Sequence, residues 1–149
     1  MPLHADSKPL IRINLQLIAS GERAKVVSIG ALTEEQHQAV NAHRAREGLP
    51  ALGDPEILFL GRHLYNSRSA DGYTIDDMIA QIDSALSADS EVVPTQKMTG
   101  LRNPVAREDG YGNHVHDVAV LELTARRPKA ELFSVIPRGD YAKPQKPTP

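Results

Sequence analysis

Arginine, histidine and tyrosine crowd one short stretch of the chain, Gly61-Arg62-His63-Leu64-Tyr65-Asn66-Ser67-Arg68. Histidine moves protons near neutral pH, and arginine stabilises charge developing on a phosphoryl group, so these residue types suit phosphodiester chemistry. They equally suit packing, with Arg62 and Arg68 in solvent and His63 and Tyr65 half-buried, their polar tips satisfied. A second group, Thr99 to Pro104 followed by Arg107 to Asn113, adds Arg102, Arg107 and Tyr111 on a glycine-rich stretch where a ligand can lie. Ordinary turn chemistry at Asp109-Gly110 and Gly112-Asn113 accounts for the same residues. His114 and His116 share one face of a strand, a spacing that can serve a metal. No well-placed later histidine completes a ligand set, and no metal site is assigned. Ser134 interrupts the apolar run Leu132-Phe133-Ser134-Val135-Ile136, where a hydroxyl must be satisfied locally or face a site.

The elements that must position these groups are legible in part. Leu10 to Ile18 alternates Ile11, Ile13, Leu15 and Leu17 with Arg12, Asn14 and Gln16, the period of a half-buried strand. With a turn over Ala19 to Arg23 and a second apolar run from Ala24 to Ile29, this predicts an N-terminal β-hairpin. Thr33-Glu34-Glu35-Gln36 is a capping box that starts a helix ending near Glu47, before Gly48 and Pro50. Its apolar stripe is thin, which places it on the surface. The type of Glu56 to Leu60 is left open by its short apolar run. A stronger helix begins at Thr74, with Asp76 and Asp77 in its first turn and Ile75, Met78, Ile79, Ile82 and Leu86 at helical spacing. Tyr73 and Met78 are set to clasp its start as a hydrophobic staple. Val115 to Thr124 and Ala130 to Ile136 read as a central buried hairpin, with shorter strand-like runs at Glu91 to Val93 and Lys97 to Leu101.

Together these predict an α+β fold: an antiparallel sheet packed against one main amphipathic helix, with an N-terminal β-hairpin and a second surface helix. The 149 residues suit one domain over residues 10–140, flanked by a flexible stretch over 1–9 and a disordered Pro/Lys tail over 141–149. An apolar content of 40% and a charged content of 24% are those of a globular chain rather than a disordered or fibrous one. The absence of cysteine removes disulfides, thiolate metal clusters and cysteine nucleophiles, and fits a reducing compartment. With neither a signal-like start nor an apolar run long enough to span a bilayer, the expected location is the cytoplasm, with no membrane partner. A net charge of −2 argues against a strong global attraction to nucleic acid but leaves room for a local basic patch. Glycine-rich nucleotide loops, G-x-S-x-G elbows and H-E-x-x-H helices are missing, which withdraws sequence support from those enzyme classes.

From Gly61 onward the order of features, a histidine-bearing segment, a capped helix and then an antiparallel sheet with polar Ser134 on a late strand, resembles the compact nuclease domains of the barnase, EndoU, colicin and RelE-type group. The likeness covers about half the chain and rests on His63, the Thr74 to Leu86 helix and Ser134. It implies metal-independent RNA cleavage without a cofactor, in which the ribose 2′-hydroxyl attacks its own phosphate. His63 would then be the acid or base, Arg68 and Arg102 would hold the phosphate, and Tyr65 or Tyr111 would stack on or position a base. Arg62 and Arg107 would add contacts to RNA. Against this stands an interaction or regulatory module whose sheet edge or alanine-rich helix docks a protein partner and whose arginines meet acidic groups. With no specific catalytic constellation, the module reading is preferred and the endoribonuclease is its alternative.

Overall fold

The computed structural model describes residues 3–95, 98–122 and 129–139. Along the chain run α1 (Ser7–Ala19), β1 (Val27–Ala31), α2 (Glu34–Arg46), β2 (Glu56–Phe59), α3 (Arg62–Ala70) and α4 (Ile75–Ala85). Five strands complete it: β3 (Glu91–Thr95), β4 (Met98–Arg102), β5 (Arg107–Glu108), β6 (His114–Glu122) and β7 (Ala130–Gly139). They form one sheet in the order β1-β2-β7-β6-β4-β3, with β5 beside β6. Its pairings are antiparallel except β2 with β7, which run parallel. The fold is therefore α+β, and the β6–β7 hairpin lies at the centre of the sheet, where its nearly continuous apolar sequence requires burial on both faces.

Strand alternation sorts the hairpin. Ala119 and Leu121 pair with Val135 and Leu132 and enter a core that also takes Phe59, Ile57 and Leu101. From the helices come Ile11 and Leu15 of α1, Leu64 of α3, and Met78, Ile82 and Ala85 of α4. Full burial of each large apolar side chain contributes about 1.5–3 kcal/mol, so a single cluster of this kind is the main source of stability. Both capped helices start as their sequences require: Thr33 and Gln36 form a capping box on α2, and Thr74 and Asp77 form one on α4. Gly48 follows α2 with a φ of +70°, the left-handed conformation that ends a helix at least cost to glycine.

The predicted N-terminal hairpin is corrected. Its first arm is α1, because the segment also carries a helical period: Ser7, Ile11, Asn14 and Leu15 lie on one face and are buried. Pro9 stands in the first turn, where its missing N–H breaks no helical bond. The expected strand over Ala24 to Ile29 shortens to β1, which pairs with β2 rather than with residues 10–18. Residues placed outside the domain by sequence also join it: Leu3 bridges to Gly30, and the Ser7 hydroxyl donates to the Ile29 carbonyl. A second difference is α3, a nine-residue helix with one buried residue, Leu64, and no side-chain cap, too weak a local signal to register in sequence. Thus α4 does not stand alone as the main amphipathic helix; α1 and α3 pack beside it. The predicted hairpin connection over 125–128 and the tail over 141–149 fall outside the described residues.

Candidate docking groove

The residues singled out for phosphate chemistry are divided among separate places. His63 is exposed on α3, its ring stacked on Phe133 with centroids 4.0 Å apart and an 18° interplanar angle. Its Nε2 lies 3.4 Å from the Ser67 Oγ, one turn further along the same helix. Arg62 is exposed, whereas Tyr65 is half-buried against the core. Arg68 reaches Asp71 at 3.2 Å with its side chain only 11% exposed. Its Nε is buried with no hydrogen-bond partner among the described residues. Ser134 is buried on β7 opposite Val120, and no hydrogen bond between described residues joins it to His63 or Arg68. Arg102 ends β4, in register with Glu91 and Val118.

Arg107 and Tyr111 are each held by a carboxylate, Arg107 by Asp117 of β6 and Tyr111 by Asp77 of α4. The Arg107 guanidinium forks onto both oxygens of Asp117, at 2.8 Å and 2.9 Å, and that carboxylate is fully buried. Hydrogen bonding to Asp117 holds the Arg107 pKa above its usual range, with burial opposing it. Tyr111 donates its hydroxyl to Asp77 Oδ2 at 2.6 Å, and its ring lies 5.8 Å from that of Tyr73. That hydrogen bond, followed by burial, pushes the Tyr111 phenol up to about 12. Arg107 thereby ties β5 to β6, and Tyr111 ties the segment after β5 to the α4 N-terminus. His116 is committed as well, through Nδ1 to the Asn103 carbonyl at 2.9 Å, while His114 is exposed.

A different surface is left without a use inside the fold. On α1, Leu10, Ile13 and Leu17 recur at i, i+3 and i+7, about two fifths of a turn around the helix from the buried pair Ile11 and Leu15. Leu10 is 41% exposed and Ile13 53%. They form one wall of an open groove of about 240 Å³ whose other wall is the segment carrying Arg23, Lys25 and Val27. Val26, between them, is 39% exposed. Single exposed apolar residues are ordinary, but a stripe of them along a concave surface marks a place for another molecule.

Asn14 builds this groove. It is 3% exposed, donates Nδ2–H to the Lys25 carbonyl at 2.8 Å and accepts the Gly61 N–H at 2.9 Å. One amide thus ties the opposite wall to α1 and α1 to the turn before α3. Gly61 allows the close approach, since a Cβ there would stand 2.6 Å from Leu15 Cδ2 and 2.6 Å from Phe59 Cζ. The rim is cationic: Arg23 and Lys25 make no ion pair with a described residue, whereas Lys8 and Arg12 of α1 are matched by Asp83 and Asp76 of α4. Sequence reasoning missed these residues. The available signal was excess, since six of the nine residues from Leu10 to Ile18 are apolar, more than one buried helix face uses.

A larger cleft of about 410 Å³ lies between α2 and the β3 edge, bordered by Glu35, Asp89 and Glu91. Its floor is structural: Gln36 Nε2 donates to the carbonyls of Ser87 and Ser90 at 2.8 Å and 3.1 Å. No helix among the described residues is long and apolar enough to cross a membrane. No family model, curated protein or solved structure matches the chain.

Proposed function

We propose that this protein is an interaction module that docks an amphipathic, carboxylate-bearing helix in the α1 groove. The observation that carries the reading is the second apolar stripe of α1, Leu10, Ile13 and Leu17, which the fold leaves open beside a preformed wall. Apolar side chains of a helix spaced at i, i+3 and i+7 fit such a trough, and carboxylates at its edge meet Arg23 and Lys25. Because Asn14 already fixes the wall, little ordering cost falls on binding. Metal-independent RNA cleavage has thinner support: Arg68 is engaged by Asp71, Arg107 by Asp117, and Ser134 is buried.

The test is titration with a synthetic helical peptide carrying leucines at i, i+3 and i+7 and glutamates beside them, followed by backbone NMR shifts. Saturable shifts over residues 10–17 and 23–27, abolished by Ile13→Asp in a folded variant, are expected. Absence of binding at millimolar peptide would sink the reading. RNA cleavage lost in folded His63→Ala would replace it with the nuclease.

A further inference from the structure

The β6–β7 hairpin sends alternate side chains to opposite faces of the sheet. Ala119, Leu121, Leu132 and Val135 enter the core that the helices cover, whereas Val118, though buried, lies outside that core on the other face. Register fixes what stands around it. Residues paired directly across an antiparallel ladder share a face, so His116 stands beside Arg138, and Val118 has Arg102 on one side and Ile136 on the other. Strand separation and rise place the Arg102 and Arg138 Cα atoms about 12 Å apart, on either side of β6, with His116 between them. Arg138 is exposed, and Arg102 and His116 are half-buried. Neither arginine makes an ion pair with a described residue. The carboxylates that register brings to this end of the face are Glu91, opposite Arg102, and Glu108, opposite His114. Neither closes to ion-pair distance of those partners.

His116 is held in one tautomer. A carbonyl oxygen only accepts, so Nδ1 carries the proton of the 2.9 Å bond to Asn103, and Asn103 is itself anchored by donating Nδ2–H to the Ser84 carbonyl at 2.9 Å. Nε2 is left over, with no partner among the described residues. We infer that Arg102, His116 and Arg138 form a binding site for a phosphate group. The two guanidiniums approach from either side and supply N–H donors to its oxygens. Nε2 accepts the P–O–H proton of a monoprotonated phosphate while the ring is neutral and donates to a phosphate oxygen once the ring is protonated, so the imidazole serves the anion in both states. Cations brought together across a ladder repel one another, and a bound phosphate turns that repulsion into attraction. The site lies on the sheet face turned away from the helices, so it is independent of docking at α1.

Titration of the full chain with inorganic phosphate at constant ionic strength, followed by amide and imidazole NMR signals, gives the test. Saturable shifts centred on Arg102, His116 and Arg138 are expected. Arg102→Ala and Arg138→Ala should each raise the dissociation constant about fivefold, the scale of one exposed charge pair. His116→Asn keeps an N–H at the place of Nδ1 and loses Nε2. It should therefore retain the thermal midpoint while weakening phosphate by a similar factor, a split that a purely structural histidine would not show. Arg46→Ala, at an exposed site on α2, should leave the affinity unchanged. Glycerol phosphate separates the two sources of the group: tighter binding of the ester assigns a phosphate monoester, tighter binding of the free ion assigns inorganic phosphate, and either supports the site. Shifts that grow with phosphate without saturating overturn the assignment, as does an affinity that the substitutions at Arg102, His116 and Arg138 leave unchanged.

Discussion

Asn14→Ala isolates the bond pattern that makes the groove. The substitution leaves the buried Gly61 N–H without its acceptor, which costs about 1–3 kcal/mol, and removes the donor to the Lys25 carbonyl, a net loss of about 0.5–1.5 kcal/mol. Alanine's better helix propensity returns up to about 0.7 kcal/mol in α1, too little to reverse the sign. The balance is a destabilisation of about 0.8–4 kcal/mol, and at 2–4 °C per kcal/mol for a chain near 150 residues the midpoint should fall by roughly 2–16 °C. Gln16→Ala, an exposed site on the same helix, is the control and should stay within about 0.5 kcal/mol. Thermal and urea unfolding followed by circular dichroism measure both, and hydrogen exchange should show the Gly61 amide losing protection in the Asn14 variant. If Asn14→Ala unfolds with the midpoint of Gln16→Ala, the amide does not carry the two walls and the account of the groove is wrong.

Gly61→Ala should destabilise by about 1–3 kcal/mol in the same unfolding assay, because its backbone is relaxed at φ −80° and the whole cost is a Cβ driven against fully buried Leu15 and Phe59. A neutral effect would mean that the α1–α3 junction has slack. For Tyr111, the raised pKa means that the folded state favours the neutral phenol that donates to Asp77. Its contribution to stability is fully present below pH about 10 and fades as the pH rises through about 12. Titration of Tyr111 in the folded protein, followed by its ring NMR signals, should therefore show no ionisation until near that value, and Asp77→Ala should bring it down; an unchanged titration would refute the hydrogen bond.

The local code of this chain was clearest where a side chain satisfies the backbone within a few residues. Thr33 with Gln36 and Thr74 with Asp77 start helices by contacts three residues apart, and the apolar runs around Val118 and Val135 can only be buried strands. These determined the class of the fold, α2, α4 and the central hairpin. They did not determine α1, because Leu10 to Ile18 satisfies the period of a strand and of a helix at once. That tie was broken by partners remote in sequence: Asn14, placed by alternation on a wet strand face, is buried because Lys25 and Gly61 supply its hydrogen bonds. The same physics separates the candidate sites. Arg68 and Arg107 read as open cations until folding sets Asp71 beside one and buried Asp117 beside the other. Ile11, Ile13, Leu15 and Leu17 read as one core face of a strand until the helix buries Ile11 and Leu15, half-buries Leu17 and leaves Ile13 exposed. Residue type and spacing determine what a segment can form; which side chains remain unspent is decided only when distant segments close around one core.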